Sequence, residues 1–498
     1  VRPVDVLNER TSHRQILRST SIIGGASIIN ILVGMARTKV AATLLGPAGV
    51  GLVGLLQNVL ATSAAAVGLG LGPAGTRQIA AAVGARDDIA AITAGRAVFW
   101  GTLTMAMIGG GLMWLLRRPL AAYALGDTRL SGDIGWLSLG LTLTVCATSQ
   151  NAVLSGLRRI DDLARITILS TLLASLAGVG ALVWFGRGGL IAYVIAVPLA
   201  LVVVSQVYVA RLPTVAAPPT PLPELARQWR ILARLGGAMT FAGLAGAGSQ
   251  LAVNDIIKGI YGISALGEFQ AAFTISMTYV GLVLGAMGAD YYPRLAAAIH
   301  DHTAVNRMVN EQTEVALLLA GPVFVAIMGL SPWLISILYS SQFTEAPGLL
   351  RWQIAGDILK VASWPLGFLI LAAGDGRTYV ITETLAACIF AVSAYILLPA
   401  LGVQGASLSF ILMYVTYLPI AYVLANRRTG FSWTPAVAWQ FAIVLGLSGA
   451  VMSVAKLSTV AAAIGGLVAA GMLVGLAIWR LGQRAALPSS LSFLNPRP

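Results

Sequence analysis

Apolar runs long enough to cross a lipid bilayer follow one another along almost the whole chain, and this constrains the fold more than any other feature. They lie at approximately 19–45, 48–72, 89–115, 134–156, 163–185, 188–210, 231–257, 266–289, 312–338, 350–373, 378–400, 402–425, 433–454 and 458–479. Each meets the roughly 20 residues that a helical crossing needs. In hydrocarbon the backbone must satisfy its own hydrogen bonds, so runs of this length are helices. Charged residues are 10% of the 498 and hydrophobic ones 57%, whereas a soluble domain carries about 25% charge. The expected fold is therefore an all-α polytopic membrane protein, with fourteen transmembrane helices preferred and twelve the main alternative. The 55 glycines suit such a chain, because small residues let membrane helices approach closely.

Loop charges set a direction. With the amino end inside, nineteen arginines fall in inner loops and termini, against Arg117, Arg118, Arg129, Arg187 and Lys456 outside. The positive-inside rule then places both termini in the cytoplasm. The net charge of +13 is scattered over short loops without an aromatic-interleaved patch, so no nucleic-acid partner is expected. Cys146 and Cys388 sit in apolar runs and form no disulfide framework. The polar, basic amino end leads into a run without a clear cleavage site, which is read as a retained span.

The connection RLPTVAAPPTPLPELARQW, residues 211–229, is rich in proline and is the best lobe boundary. The expected organisation is a cytoplasmic segment 1–18, a six-helix lobe 19–210, a linker 211–230, a second six-helix lobe 231–425, an additional two-helix hairpin 426–479 and a cytoplasmic tail 480–498. A faint repeat supports pseudo-symmetric lobes. Advancing by 216 residues lays GPAGVG at 46–51 over GISALG at 262–267, and AAA at 80–82 over AAA at 296–298. In the first of these motifs Pro47 suits a first helical turn, while Gly46, Gly49 and Gly51 permit a tight turn and close lobe contact, as a gate-side hairpin.

Ionisable groups inside a membrane are costly and mark candidate sites. Arg37 and Lys39, about 200° apart on an ideal helix, offer either a cationic surface for a phosphate-bearing substrate or an interfacial contact. Gln57 and Asn58 suit sugar hydroxyls or helix-to-helix hydrogen bonds, and Gln150, Asn151 and Gln250 are weaker versions of the same idea. Asp255 and Lys258 share a helix face, as do Asp357 and Lys360, so each pair is a substrate or gate contact or an internal ion pair. Asp357 and Glu383, in neighbouring segments, are candidates for proton or sodium coupling. His13, His300 and His302 make no metal cluster, no nucleotide loop of the GxxxxGK[ST] type occurs, and no outer loop is large enough for a glycan polymerase or ligase. The chain is expected to be a transporter and not an enzyme, with no cofactor beyond an ion gradient.

Residues 21–80, SIIGGASIINILVGMARTKVAATLLGPAGVGLVGLLQNVLATSAAAVGLGLGPAGTRQIA, join a basic-bearing first helix to the GPAGVGL entry of the second, with Gln57 just beyond. This stretch resembles the bacterial polysaccharide flippases, of O-antigen type, in the multidrug, oligosaccharidyl-lipid and polysaccharide exporter superfamily. The resemblance implies movement of undecaprenyl-diphosphate-linked oligosaccharide from the cytoplasmic to the outer leaflet by alternating access of two six-helix bundles. It also implies the bacterial inner membrane, contact with membrane lipids, and a polysaccharide polymerase and chain-length regulator as partners. The last two spans depart from twelve-span relatives, whereas the related lipid II flippases have fourteen. A drug or small-metabolite exporter, a lipid II flippase and a glycan polymerase or ligase are the alternatives.

Overall fold

The computed structural model describes residues 5–124, 126, 128–212 and 221–484. Residues 1–4 of the amino-terminal segment, 213–220 of the proline-rich connection and 485–498 of the carboxyl-terminal tail lie outside the described residues. Regular structure among the described residues is helical throughout. In order the helices are α1 (Asp5–Gly68), α2 (Leu71–Gly84), α3 (Asp88–Leu115), α4 (Arg117–Ala124), α5 (Ser131–Gly156), α6 (Ile160–Phe185) and α7 (Leu190–Ala210). They continue as α8 (Leu222–Ala297), α9 (His302–Leu338), α10 (Ala346–Ala372), α11 (Gly376–Leu401), α12 (Gln404–Thr429), α13 (Pro435–Leu457) and α14 (Thr459–Arg484). Ten stretches among the described residues are long and apolar enough to cross a membrane. The chain is an all-α polytopic membrane protein.

Short polar turns punctuate the helices with ordinary capping chemistry. Asp87, Asp301 and Asp375 each accept a hydrogen bond from the backbone N–H three residues on, at 2.8, 3.0 and 2.9 Å. These contacts satisfy donors that a helix start leaves open. Thr434 does the same for Val437, ahead of Pro435 at the first position of α13.

The sequence offset of 216 reappears in the backbone. Both α1 and α8 run through one non-helical residue, Gly46 at φ 63°, ψ −170° and Gly262 at φ 81°, ψ 176°. That conformation is essentially confined to glycine. Arg158 and Gly374 both have positive φ, as do Gly186 and Gly402, which end α6 and α11. Gly189 and Gly405 press on the backbone as well: a Cβ on either would lie 2.1 Å from the Ala181 oxygen or 2.5 Å from that of Leu397. Every one of these pairs is separated by 216 residues. Two copies of one helical pattern thus make the same turns at the same places.

The chain forms two compact units, Val1–Leu251 and Ala252–Pro498, with the division inside α8. In the first, α5 packs against α2, α3 and α7, while α1 packs on α6. Its core is aliphatic, with Leu56, Leu60, Leu137, Leu141 and Val145 closely buried together. The start of α8 belongs here because Leu225 and Leu232 pack against Leu71, Ala97 and Val98, and Trp229 Nε1 donates to the Ala97 carbonyl at 2.7 Å. At Gly70 and Gly236 the two backbones meet so closely that a Cβ on Gly70 would lie 2.7 Å from the Gly236 oxygen, and one on Gly236 2.8 Å from the Gly70 oxygen.

In the second unit α10 packs against α9 and α12, and α11 against α12. Helices α13 and α14 both pack on α9. Gly329 of α9 and Gly466 of α14 allow the close crossing, since a Cβ at Gly329 would be 2.7 Å from the Ala462 oxygen. Gln440 of α13 donates to the buried Glu314 carboxylate at 3.3 Å.

Candidate functional site

The strongest polar constellation lies within the second unit, where α8, α10, α11 and α12 converge. Asp357 of α10 has no exposed surface. Ser276 of α8 donates its hydroxyl to Asp357 Oδ2, while Oδ1 has no hydrogen-bond partner. One turn along α10, Lys360 donates to the Met277 sulfur at 3.2 Å. Its ammonium lies within electrostatic range of both the Asp357 and Glu383 carboxylates without a direct ion pair to either. Glu383 of α11 accepts from the Tyr417 hydroxyl of α12 at 2.8 Å. Gln353, one turn before Asp357, is fully buried, with neither amide atom hydrogen-bonded.

This arrangement places two carboxylates around one ammonium, with unused acceptors and donors beside them. Buried charges of this kind gain stability only when their remaining lone pairs and protons are satisfied. Asp357 Oδ1 and the Gln353 amide are not. Asp357 Oδ1 is thus an open acceptor on the buried face of α10, one turn from the Lys360 ammonium. Chemically, the site offers a free carboxylate oxygen and a free amide beside two further charged groups.

Among residues singled out in the sequence, Asp357, Lys360 and Glu383 are brought together. The others are dispersed. Arg37 lies 4.0 Å above the Tyr193 ring and donates to the Tyr193 carbonyl, fastening α1 to α7. Lys39 is half-buried further along α1. Gln57 is exposed, and Asn58 donates to the Gly54 carbonyl of its own helix at 3.0 Å. Asp255 and Lys258 form an ion pair with each other at 2.7 Å. Gly46 and Pro47 form the break in α1, Gly51 is buried, and Gly49 packs on the Leu45 side chain, where a Cβ would come within 2.1 Å.

Sequence reasoning missed Ser276, Met277, Gln353 and Tyr417. Their only signal was the placement of polar atoms in otherwise apolar runs. It also missed Glu268, buried at 7% exposure. This residue accepts from the Thr344 and Ala346 N–H groups at 3.0 and 2.9 Å, holding the start of α10 from α8. Among the described residues, no group of three or more histidine, cysteine, aspartate or glutamate side chains is placed to hold a metal.

Comparison with solved structures identifies the architecture. An inward-facing multidrug-resistance transporter of the MATE family, in the MOP superfamily, superposes with a TM-score of 0.69 at 18% identity, over 81% of this chain and 98% of that one. A lipid II flippase in an inward-closed conformation also reaches 0.69, at 12% identity, over 92% and 98%. The fold is that of the multidrug, oligosaccharidyl-lipid and polysaccharide exporters, a class of membrane transporters. Within it, residues 40–347 match the family described as polysaccharide biosynthesis protein, and the chain belongs to that family. A lipid III flippase of Escherichia coli (strain K12) is 23% identical over 424 residues, covering 81% of this chain and 97% of that protein. An equally similar lipid III flippase comes from Shigella flexneri.

Proposed function

We propose that this transporter moves undecaprenyl-diphosphate-linked oligosaccharide repeat units from the cytoplasmic to the outer leaflet of a bacterial inner membrane, leaving their covalent structure unchanged. The observation that carries this reading is the near end-to-end correspondence with the lipid III flippase, at 97% of that protein. Membership of a polysaccharide biosynthesis family agrees with it. The lipid tail stays in hydrocarbon throughout, and the transporter's task is to keep the diphosphate and sugar hydroxyls away from it. Arg37 and Lys39 supply positive charge toward the diphosphate. Gln57, Asn58, Asp255 and Lys258 contribute polar contacts, and Gly46, Pro47, Gly49 and Gly51 shape the gate.

The proposed topology has fourteen crossings, with both termini cytoplasmic. The 44-residue stretch Gly25–Gly68 and the 51-residue stretch Ile160–Ala210 each have room for two spans. Their breaks lie at Gly46 and at Gly186–Gly189. Two more spans in α8, on either side of Gly262, bring the ten stretches to fourteen. Helices α13 and α14 are then an addition to two six-helix lobes, 19–210 and 231–425. The larger share covered by the lipid II flippase, 92% against 81% for the MATE transporter, supports counting them as part of the transporter. Asp357 and Glu383 couple transport to a proton or sodium gradient, with Lys360 as the ammonium that answers their change of charge. A polysaccharide polymerase and chain-length regulator are the expected partners.

Purified protein in liposomes tests the reading. It should accelerate leaflet exchange of labelled undecaprenyl-diphosphate oligosaccharide, with little effect on the same lipid lacking its glycan. Movement of a small cationic dye alone would establish the drug-exporter alternative. A lengthened glycan product would establish a polymerase.

A further inference from the structure

The first unit contains a cavity of about 530 Å³ among α2, α3, α5 and α7, within the roughly 300–1,000 Å³ range of small-molecule sites. It lies at the end of the unit that carries the α2–α3 and α5–α6 turns. Most of its wall is apolar, including Ile79, Val83, Ile92, Phe99, Val153 and Val209. Arg96 and Arg159 line it, against a single acidic lining residue, Asp88, and Arg159 is also 3.8 Å from the Asp162 carboxylate behind it. Its floor is polar: Gln150 donates to the Gln206 amide oxygen at 2.7 Å. Gln150 is only 8% exposed, and its own amide oxygen has no hydrogen-bond partner.

The same place in the second unit is filled. Adding 216 to Ile79, Gln150, Val153 and Gln206 gives Leu295, Leu366, Leu369 and Tyr422, which belong to one hydrophobic cluster with Phe431, Trp433 and Phe441. Phe431 has no exposed surface, and its ring lies 5.7 Å from that of Tyr422. Trp433 lies 5.4 Å from Tyr422 on centroids. This aromatic plug comes from the chain just after α12. The corresponding stretch after α7, RLPTVAAPPTP, has no aromatic residue to offer. Where the second copy has its own rings, the first has an apolar slot, two guanidinium groups and an unused acceptor.

We propose that this slot in the first unit holds an anionic phospholipid with a hydroxyl-bearing headgroup, its acyl chain replacing the aromatic plug of the second unit. The phosphate meets Arg96 and Arg159, since guanidinium pairs with phosphate through several donors at once. A headgroup hydroxyl donates to the Gln150 amide oxygen. An acyl chain covers Val153, Val209 and the exposed Phe99 ring. Basic pockets between membrane helices commonly take anionic lipid in this way. The occupant is a resident lipid, separate from the transported one.

Native mass spectrometry of the purified full chain, equilibrated with equal amounts of phosphatidylglycerol and phosphatidylethanolamine, tests this. The wild type should retain phosphatidylglycerol preferentially. Arg96→Ala and Arg159→Ala should each reduce that retention about five-fold, as expected for loss of one cationic contact near a membrane surface. Gln150→Leu should lower the preference for phosphatidylglycerol over phosphatidic acid, which offers no glycerol headgroup. Arg→Lys variants should retain more lipid than the Ala variants, separating loss of charge from loss of fold. Gln206→Tyr, which imports the second unit's ring, should displace lipid while leaving thermal unfolding unchanged or raised. Equal retention of the two phospholipids, or retention indifferent to both arginines in folded protein, would overturn the proposal. So would preferential retention of undecaprenyl phosphate over phosphatidylglycerol, which would make the slot part of the transport path.

Discussion

The two units fill the same buried layer with opposite chemistry. In the first, Leu60, Leu137 and Leu141 are packed together in an aliphatic core. The residues 216 positions later are Ser276, Gln353 and Asp357, all fully buried. The surrounding frame is shared. Gly140 and its counterpart Gly356 sit at the same helix position, beside Ile195 and its counterpart Ile411 at 3.4 and 3.5 Å from an added Cβ, although at Gly356 that Cβ would first meet the Phe410 ring at 2.5 Å. A leucine layer evidently suits this frame, because the first unit uses one. Burial of Asp357, with the partly buried Lys360 beside it, is therefore not a requirement of the shared frame. It adds desolvation cost and leaves Asp357 Oδ1 and the Gln353 amide without partners. Departures of this kind are expected at functional or strained sites, and this one agrees with the proposed coupling role.

The sharpest way to break this comparison is to exchange the chemistries. Leu141→Asp places an unpaired carboxylate in the aliphatic layer and should destabilise the protein by about 3–5 kcal/mol. Loss of monodisperse protein, or a large fall in thermal midpoint, is the expected reading. An unchanged midpoint would show that the first unit's layer is wetter than its burial indicates. The reverse exchange, Asp357→Leu with Lys360→Met, removes both charges while Glu383 keeps the Tyr417 hydroxyl. It should leave stability unchanged or raise it by about 1–4 kcal/mol, and gradient-driven transport should be lost. Destabilisation of several kcal/mol would assign the pair a structural role.

The helix breaks sharpen the comparison further. Gly46→Ala and Gly262→Ala each put a side chain into a conformation that costs about 1–3 kcal/mol. The two should cost similar amounts, because the backbone geometry is the same. A large difference in their thermal midpoints would mean that one break is relaxed by its surroundings.

The smallest effect concerns the paired turns at Arg159 and Asp375. The Thr378 hydroxyl and N–H, with Arg428 alongside, hold the Asp375 carboxyl down at about 2. A depressed carboxylate contributes fully above its unfolded value of about 3.9 and loses its contribution as pH falls through the folded value. The midpoint difference between wild type and Asp375→Asn should therefore stay constant from about pH 8 to about pH 5. A difference that shrinks within that window would place the Asp375 titration higher.

Much of this architecture is written in local pattern. Helix positions follow from the apolar runs, and the GPAGVG and GISALG motifs disclosed the offset that the backbone repeats. Asp357 and Lys360 stand out because charge in an apolar run is costly, and their spacing of three fixes a shared face. Contacts across the fold were not legible in the same way. Arg37 is paired with Tyr193, 156 residues away, and nothing near Arg37 in sequence points to that ring. Ser276 and Met277 are unremarkable residues in a membrane helix until packing brings them to α10. The start of α8, which the proline-rich connection led one to separate from the first lobe, packs on it through Trp229, Leu225 and Leu232. Proline marks where a chain is extended, but apolar side chains decide where it docks.

The most direct test uses Asp357→Asn, which keeps the shape and removes the charge. Wild-type and variant protein, matched for thermal midpoint, are placed in vesicles with labelled undecaprenyl-diphosphate oligosaccharide, and translocation is followed with and without an imposed proton or sodium gradient. The account predicts that one of these gradients accelerates the wild type, and that the folded variant gives the same slow rate whether the gradient is present or collapsed. A variant that responds to the gradient as the wild type does would contradict the assignment of coupling to the buried charges of the second unit.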